Sequence, residues 1–214
     1  MEEKTNTQNS GNLSPTQINF KIFDLYDLSE IEIKDPALKN VINIKPKLVL
    51  KDQGRNAEKF GQLQINIVER LASKLSVSGH RGKKHKLEKG IAIGKYSKNM
   101  KIILEALRLV EEKTKKNPVQ ILVTAIENAA PRDEITVIEY GGARYPQAID
   151  VSPLRRVNLA LRNIVAGASD KAFNKKKTIA QTLAEEIVLA SENNGDSFAW
   201  KKKNESEKQA DSAR

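Results

Sequence analysis

The stretch Asp150-Val151-Ser152-Pro153-Leu154-Arg155-Arg156 marks the point where a predicted β-hairpin ends and a helix begins. Before it, two β-rich runs flank a turn that contains Gly141-Gly142, a pattern typical of a hairpin. Within it, Ser152 suits the N-cap and Pro153 suits the first helical position. A two-stranded hairpin is marginal alone in water, so we expect this one to lean on helices or on a partner.

Apolar residues recur at helical spacing in five segments on both sides of the hairpin. Two of these helices carry start signals, Asn117-Pro118 and Thr178, with Gln120 and Gln181 placed to complete capping boxes. Strands and helices do not alternate, which argues against a parallel sheet. We therefore predict a mainly α fold, a bundle of about five or six helices with a protruding two-stranded β-ribbon.

Composition and apolar spacing also divide the chain into four predicted segments. Residues 1–19 are polar and are predicted to form a disordered tail. Residues 20–52, where short alternating runs are broken by prolines, are predicted to be an irregular extension. Residues 53–199 form the predicted helical core, with the ribbon at about 134–151. Residues 200–214 are predicted to form a charged C-terminal tail.

The positive charge of the chain is concentrated in two blocks. The 214 residues carry a formal net charge of +10. Residues 79–116 hold twelve basic and four acidic residues, a net of +8, and residues 144–177 hold eight basic and two acidic residues, a net of +6. Such clustering indicates a polyanionic partner, with nucleic acid the first candidate and an anionic membrane surface the second.

Several classes of function lack the residues they would need. The chain has no cysteine, so neither a disulfide framework nor a thiolate metal site is possible. Its two histidines, His80 and His85, lie inside a basic loop with no Ser or Asp constellation marked for catalysis. No run is long and apolar enough for a transmembrane helix, and no signal peptide is recognisable. We expect a cytosolic protein with no cofactor, no metal, no membrane partner and no enzymatic activity.

The basic residues fit RNA better than sequence-read DNA. Lysines in the loop supply unspecific attraction to phosphates, and arginine forks can grip phosphates with two hydrogen bonds. Tyr140 and Tyr145 have two open interpretations, stacking on bases or packing across the strands. Arg132 either anchors a phosphate or pairs with Asp133 or Glu134. The predicted RNA-binding residues are Lys83, Lys84, Lys95, Lys98, Lys101, Arg132, Arg144, Tyr145, Arg155, Arg156, Arg162, Lys175, Lys176 and Lys177.

The joint spacing of several motifs resembles the universal small-subunit ribosomal protein seven family, in its archaeal and eukaryotic branch. The resemblance covers about Phe20 to Arg214. It rests on Asn117-Pro118-Val119-Gln120-Ile121-Leu122-Val123, Ala125-Ile126-Glu127-Asn128, Ala130-Pro131-Arg132-Asp133-Glu134, Gly141-Gly142, the stretch Asp150 to Val157, Ala160-Leu161-Arg162-Asn163-Ile164, Thr178-Ile179-Ala180 and Leu183-Ala184-Glu185-Glu186-Ile187.

This resemblance implies a structural constituent of the small ribosomal subunit. It implies a protein that binds small-subunit ribosomal RNA, helps nucleate assembly of the head domain and touches neighbouring head proteins. The ribbon would lie near messenger RNA and exit-site transfer RNA, in cytoplasmic ribosomes. Either Gly82-Lys83-Lys84 or Gly94-Lys95-Tyr96 matches the basic motif that opens the family's second helix, and the distance to Asn117-Pro118 favours the latter.

Two other functions remain open at this stage. A protein–protein scaffold would use the charged helical surface to bind an acidic partner. An enzyme that acts on RNA would need a general acid, a general base or a metal site, for which the sequence offers no convincing set.

Overall fold

The computed structural model describes residues 21–22, 25–28, 31–45, 51, 57–81, 84–85 and 95–214. Of the basic loop it describes only short backbone segments, so Lys83, the side chains of His80, Lys84 and His85, and the tail at 1–19 lie outside the described residues. The helices are α1 (Pro36–Lys39), α2 (Ile67–Leu75), α3 (Tyr96–Thr114), α4 (Pro118–Ala129), α5 (Pro153–Ala172), α6 (Ile179–Ser191) and α7 (Phe198–Ser212). The strands are β1 (His80–Arg81), β2 (Lys84–His85), β3 (Asp133–Tyr140) and β4 (Ala143–Asp150).

The predicted mainly α fold with a two-stranded ribbon is confirmed. Helix α6 lies at the centre, packed against α3, α4 and α5, and its residues Leu183, Ala184 and Ile187 are fully buried. Helix α2 packs on α3 and α5. Within the described residues, no helix is long and apolar enough to cross a membrane.

The first predicted helix, whose apolar stripe at helical spacing is Phe60, Leu63, Ile67, Leu71 and Leu75, is shorter in the structure than that spacing indicates. Residues Gly61–Gln64 form a 3-10 turn, and the α-helix begins only at Ile67. Asn66 interrupts the run because its side chain accepts a hydrogen bond from the backbone N–H of Val68, which makes it an N-cap. Phe60, which the spacing assigns to the buried stripe, is 62% exposed.

Of the caps predicted for α4 and α6, those formed by Asn117 and by Thr178 with Gln181 are confirmed, and the role of Gln120 is wrong. Thr178 and Gln181 form the predicted capping box at the start of α6. Asn117 caps α4 as predicted, by accepting a hydrogen bond from Val119. Gln120, however, is not part of a capping box, because its side-chain amide bonds to the backbone N–H and carbonyl of Glu32 in the extension.

The N-terminal extension is held against the core by hydrogen bonds as well as by apolar contacts. The side chain of Asn117 donates to the carbonyl of Asp27 at 2.7 Å. The backbone N–H of Asp35 donates to the Glu127 carboxylate at 3.0 Å. Leu38, on the single turn of α1, is fully buried in the main core. This stretch is therefore part of the folded unit.

The ribbon closes through a two-residue turn. Tyr140 pairs with Ala143, and both Gly141 and Gly142 have positive φ, +59° and +81°. Two consecutive residues with positive φ match the type I′ turn that suits the twist of a hairpin, which explains the glycine pair. Ala143 and Arg144 consequently belong to the strand β4.

The residues predicted to form a charged C-terminal tail are mostly in α7. This helix packs against α5, α6 and the base of the ribbon. At its start, the buried carboxylate of Glu186 accepts hydrogen bonds from Ser197 Oγ (2.8 Å) and the Ala199 backbone N–H (3.1 Å), and it pairs with Lys171 at 2.6 Å. Gly167 leaves room for this contact, because a Cβ there would lie 2.7 Å from the Cβ of Phe198.

Candidate nucleic-acid interface

Helix α5 carries the three arginines that the sequence singled out, and the structure gives them different environments. Arg155 lies in the first turn and binds the Glu134 carboxylate through two hydrogen bonds of 2.6 and 2.9 Å. The hydrogen bond from Arg155 lowers the pKa of Glu134. Arg156 is only 8% exposed and bonds to Asp35 at 2.8 Å. Arg162, two turns further on, is exposed.

The pair between Arg156 and Asp35 connects α5 to the N-terminal extension. Burial by itself would raise the pKa of Asp35. The backbone N–H of Ala37 and the guanidinium of Arg156 outweigh that effect, and the pKa lies below its ordinary value. Arg156 therefore has a structural role in the free protein, a role that the Arg-Arg motif alone does not reveal.

A small cavity surrounds this pair and gathers other basic side chains. It measures about 390 Å³ and lies between the extension, α4, α5 and α7. Its lining includes Lys34, Arg132 and Lys203 together with the pair itself. No ion pair joins the Arg132 side chain to either neighbouring acid; Asp133 pairs with Arg214 and Glu134 pairs with Arg155. The structure thus removes the alternative in which Arg132 pairs with one of its neighbours.

A larger groove lies on the other side of α5, between α2 and α7. Its volume is about 680 Å³, and its basic lining residues are Lys74, Arg162 and Lys202. No acidic residue is among the described residues that line it. We call it the α2–α5–α7 groove. It brings the predicted Arg162 together with two lysines that the sequence analysis missed.

The ribbon presents aromatic and apolar side chains to solvent. Tyr140 is 82% exposed and Tyr145 is 58% exposed, and the residue opposite Tyr145 is Ile138. Tyr140 therefore has little packing across the strands and is free to stack on a base. Arg144 lies opposite Glu139, with a 3.6 Å separation between its Nε and the carboxylate, and both side chains are exposed.

The remaining predicted lysines are on the surface. Lys95, Lys98 and Lys101 are exposed around the start of α3. Lys175 and Lys176 are exposed in the turn after α5. Lys177 pairs with Glu185 at 2.8 Å, and its hydrogen bond lowers the pKa of that carboxylate. The predicted residues therefore form several basic patches, and the described contacts do not merge them into one site.

The missed residues had weak sequence signals. Lys74 follows Arg70 by four positions, which places both on one face of α2. Lys202 and Lys203 lie in the segment assigned to a tail, and only the packing of α7 brings each to a different cavity. A search for basic residues at i and i+4 on the predicted first helix would have found the pair on α2.

The fold and the basic patches define a class, a mainly α protein with a β-ribbon and several basic surface patches, with no cluster of metal-binding residues among the described side chains. Comparison with known proteins makes this specific. The sequence profile of the family described as ribosomal protein S7p/S5e matches residues 38–214. The chain belongs to this family, whose members are structural proteins and not enzymes.

Curated relatives support the assignment along nearly the whole chain. A protein named small ribosomal subunit protein uS7 from Nanoarchaeum equitans is 48% identical over 195 residues, which cover 91% of this chain and 98% of that protein. Proteins of the same name from Methanococcus maripaludis and Archaeoglobus fulgidus are 46% and 45% identical, covering 91% and 90% of this chain and 98% and 94% of the relatives. The predicted family, in its archaeal and eukaryotic branch, is therefore confirmed.

Proposed function

We propose that this protein is a structural constituent of the small ribosomal subunit that binds small-subunit ribosomal RNA. It helps to nucleate assembly of the head domain and acts in cytoplasmic ribosomes. The observation that carries the proposal is the α2–α5–α7 groove, where three basic side chains converge and no acidic residue is among the described lining residues. Basic residues that neutralise crowded phosphates release counterions and fix the relative orientation of RNA helices.

The ribbon has a separate part in this proposal. Its exposed Tyr140 and Tyr145, on a hairpin anchored to α7 at its base, suit contact with unpaired bases. We place it near messenger RNA and exit-site transfer RNA, with Arg144 as its phosphate contact. The acidic Glu134 and Glu139 limit the positive charge of the ribbon, so ribosomal RNA remains the main ligand.

The first test is binding to a transcript of the head-forming region of small-subunit ribosomal RNA across a salt series. An unrelated structured RNA serves as competitor. We expect tight binding that survives the competitor and weakens steeply with salt. If the protein binds the unrelated RNA as tightly as the transcript, the basic patches attract any RNA without specificity, and the assembly role is contradicted.

One variant addresses the arginine at the start of α5. Glu134→Ala releases Arg155 from its carboxylate partner, so we expect tighter RNA binding, by a few-fold. Arg155→Ala removes the same ion pair without freeing a guanidinium, so it is the matched control, and it is expected to weaken binding. If both variants bind alike, Arg155 does not contact the RNA.

A second candidate function has one observation in its favour. Val137, Ile138 and Ile149 on the ribbon are 43–59% exposed, which is the kind of apolar surface that a protein partner covers. Neighbouring head proteins fit this role within the ribosome. A general scaffold outside the ribosome would instead show no RNA after purification and a weak salt dependence of partner binding.

A further inference from the structure

The α2–α5–α7 groove combines a basic rim with an apolar floor. Lys74, Arg162 and Lys202 supply the charge, while Val77, Leu159, Val165 and Phe198 supply the apolar surface. A volume of about 680 Å³ lies within the range of about 300–1,000 Å³ that is usual for small-molecule sites. A surface that binds only the phosphates of an RNA backbone requires positive charge but does not require an apolar surface of this kind.

On the basic side of the groove, Lys74 and Arg162 make no ion pair within the described residues, whereas Lys202 pairs with Glu205 at 2.5 Å. Arg70, one turn before Lys74, is 5% exposed, and its Nη1 donates to the carbonyl of Val41 at 3.0 Å. Its Nε and Nη2 are buried and have no hydrogen-bond partner among the described residues. Burial, with Arg70 and Arg162 as further causes, lowers the pKa of Lys74. These groups are therefore close enough to repel one another, and an anion in the groove would relieve that repulsion.

The rest of the lining suits a nucleobase. Phe198 offers an aromatic ring, with the Lys202 Nζ 6.0 Å from its centroid, and Val77 is 48% exposed. Ser78 and Asn163 add polar groups at the edge of the apolar floor. A base that leaves its stack needs an apolar face to cover it and hydrogen-bonding groups for its edge, and this groove supplies both.

We propose that the α2–α5–α7 groove receives one unstacked nucleotide of the bound RNA, with its phosphate between Lys74 and Arg162 and its base against Phe198 and Val77. This inference rests on the proposed RNA-binding function and gives it a specific site. A nucleotide uses the basic rim and the apolar floor together. An acidic peptide would use the rim alone.

The experiment compares two double variants of the full chain on the transcript described above. Lys74→Ala with Arg162→Ala removes the rim, and Lys208→Ala with Arg108→Ala removes one lysine and one arginine elsewhere. Lys208 and Arg108 lie on the exposed faces of α7 and α3. We expect about tenfold weaker binding for each lost phosphate contact relative to the control. The dependence of log affinity on log salt should become shallower by roughly 0.7 per contact for single-stranded RNA.

A second arm tests the base and the charge separately. Short-wavelength ultraviolet crosslinking, followed by mass spectrometry, should attach a nucleotide to the peptide that holds Val77 or Phe198. Val77→Glu places a carboxylate in the groove and should abolish this crosslink, whereas Val77→Gln, of the same shape without charge, should retain it. Thermal unfolding without RNA checks that each variant is folded.

The outcomes separate the two proposals. If the wild type binds the transcript tightly but both double variants bind alike and no crosslink maps to the groove, the nucleotide site is wrong and RNA binding stands. If the wild type does not bind the transcript, the proposed function fails. Adenosine monophosphate or polyglutamate that occupies the groove as tightly as the RNA would assign it to a free nucleotide or an acidic peptide and would overturn the inference.

Discussion

Two buried charged residues, Glu186 and Arg70, differ in how far their hydrogen-bonding groups find partners within the protein. The Glu186 carboxylate is fully buried and meets an ammonium, a hydroxyl and a backbone N–H, which together satisfy it within the protein. Arg70 is 5% exposed, yet within the described part of the chain only its Nη1 has a hydrogen-bond partner. Buried charges are costly unless they are paired and hydrogen-bonded. The first charge is therefore satisfied within the fold, whereas the second keeps two buried donors with no hydrogen-bond partner among the described residues.

The largest expected effect comes from breaking the satisfied cluster. Glu186→Ala leaves Lys171 without its counterion and Ser197 and the Ala199 N–H without their acceptor. Removing one partner of a buried pair costs about 3–5 kcal/mol of unfolding free energy, measured by urea denaturation. Glu185→Ala is the matched control, because its pair with Lys177 is more exposed and the loss should stay below about 1 kcal/mol. Equal losses would show that burial of Glu186 is not what matters.

The second largest expected loss of stability comes from the close packing of Gly167 on α5 against Phe198 and Glu186. In Gly167→Ala, the new Cβ would lie 2.7 Å from the Cβ of Phe198 and 2.9 Å from the Cδ of Glu186. Overpacking of this kind costs about 1–3 kcal/mol, again read from urea unfolding. Gly195→Ala is the control, since the nearest atom to its new Cβ is 3.9 Å away. A neutral Gly167→Ala would mean that α7 shifts without loss.

The third prediction uses pH to examine the partly buried pair of Asp35 and Arg156. Because the pKa of Asp35 is lowered in the folded protein, its stabilisation is complete above the ordinary pKa and is lost as pH falls through the folded value. Asp35→Asn should cost roughly 1–2 kcal/mol at neutral pH. The difference from wild type should shrink in acid, and a pH-independent difference in unfolding free energy would assign the effect to packing.

The smallest expected change in stability is that of a substitution at Arg70, the incompletely hydrogen-bonded member of the comparison. Arg70→Met removes a buried guanidinium, whose pKa burial lowers to about 10, and keeps a similar volume. We expect the unfolding free energy to stay within about 1 kcal/mol of wild type, because the lost hydrogen bond is offset by the relieved charge. RNA affinity should fall. A large loss of stability with unchanged RNA affinity would make Arg70 a structural residue like Glu186.

The sequence predicted the helices best where capping and periodicity agree. Thr178 with Gln181 gave the start of α6, and Asn117-Pro118 gave the start of α4. The prediction from sequence was wrong for the capping box of Gln120, because this polar side chain can also bond to groups distant in the sequence. Gln120 bonds to the distant backbone of Glu32, and that contact depends on how the extension folds back onto the core.

The site was predicted only in part, and for a similar reason. Residue types identified Arg155, Arg156 and Arg162 as basic residues near a helix start, but they could not show which of them would pair within the protein. Arg155 and Arg156 both find carboxylates that lie 21 and 121 positions away in the sequence. Ion pairs at such separations follow from tertiary packing, so no local pattern reveals them.

The sequence by itself determined the family, the helical class, the ribbon and the two basic blocks, because periodicity, glycine turns and net charge are local properties of the chain. The tertiary structure alone decided which charges are used inside the protein and which remain for a ligand. Packing of α7 buried Glu186 in a satisfied cluster and placed Lys202, which pairs with Glu205, in the groove beside the exposed Arg162. The electrostatic role of a charged residue depends on its burial and its partners, and both are fixed only when distant segments meet.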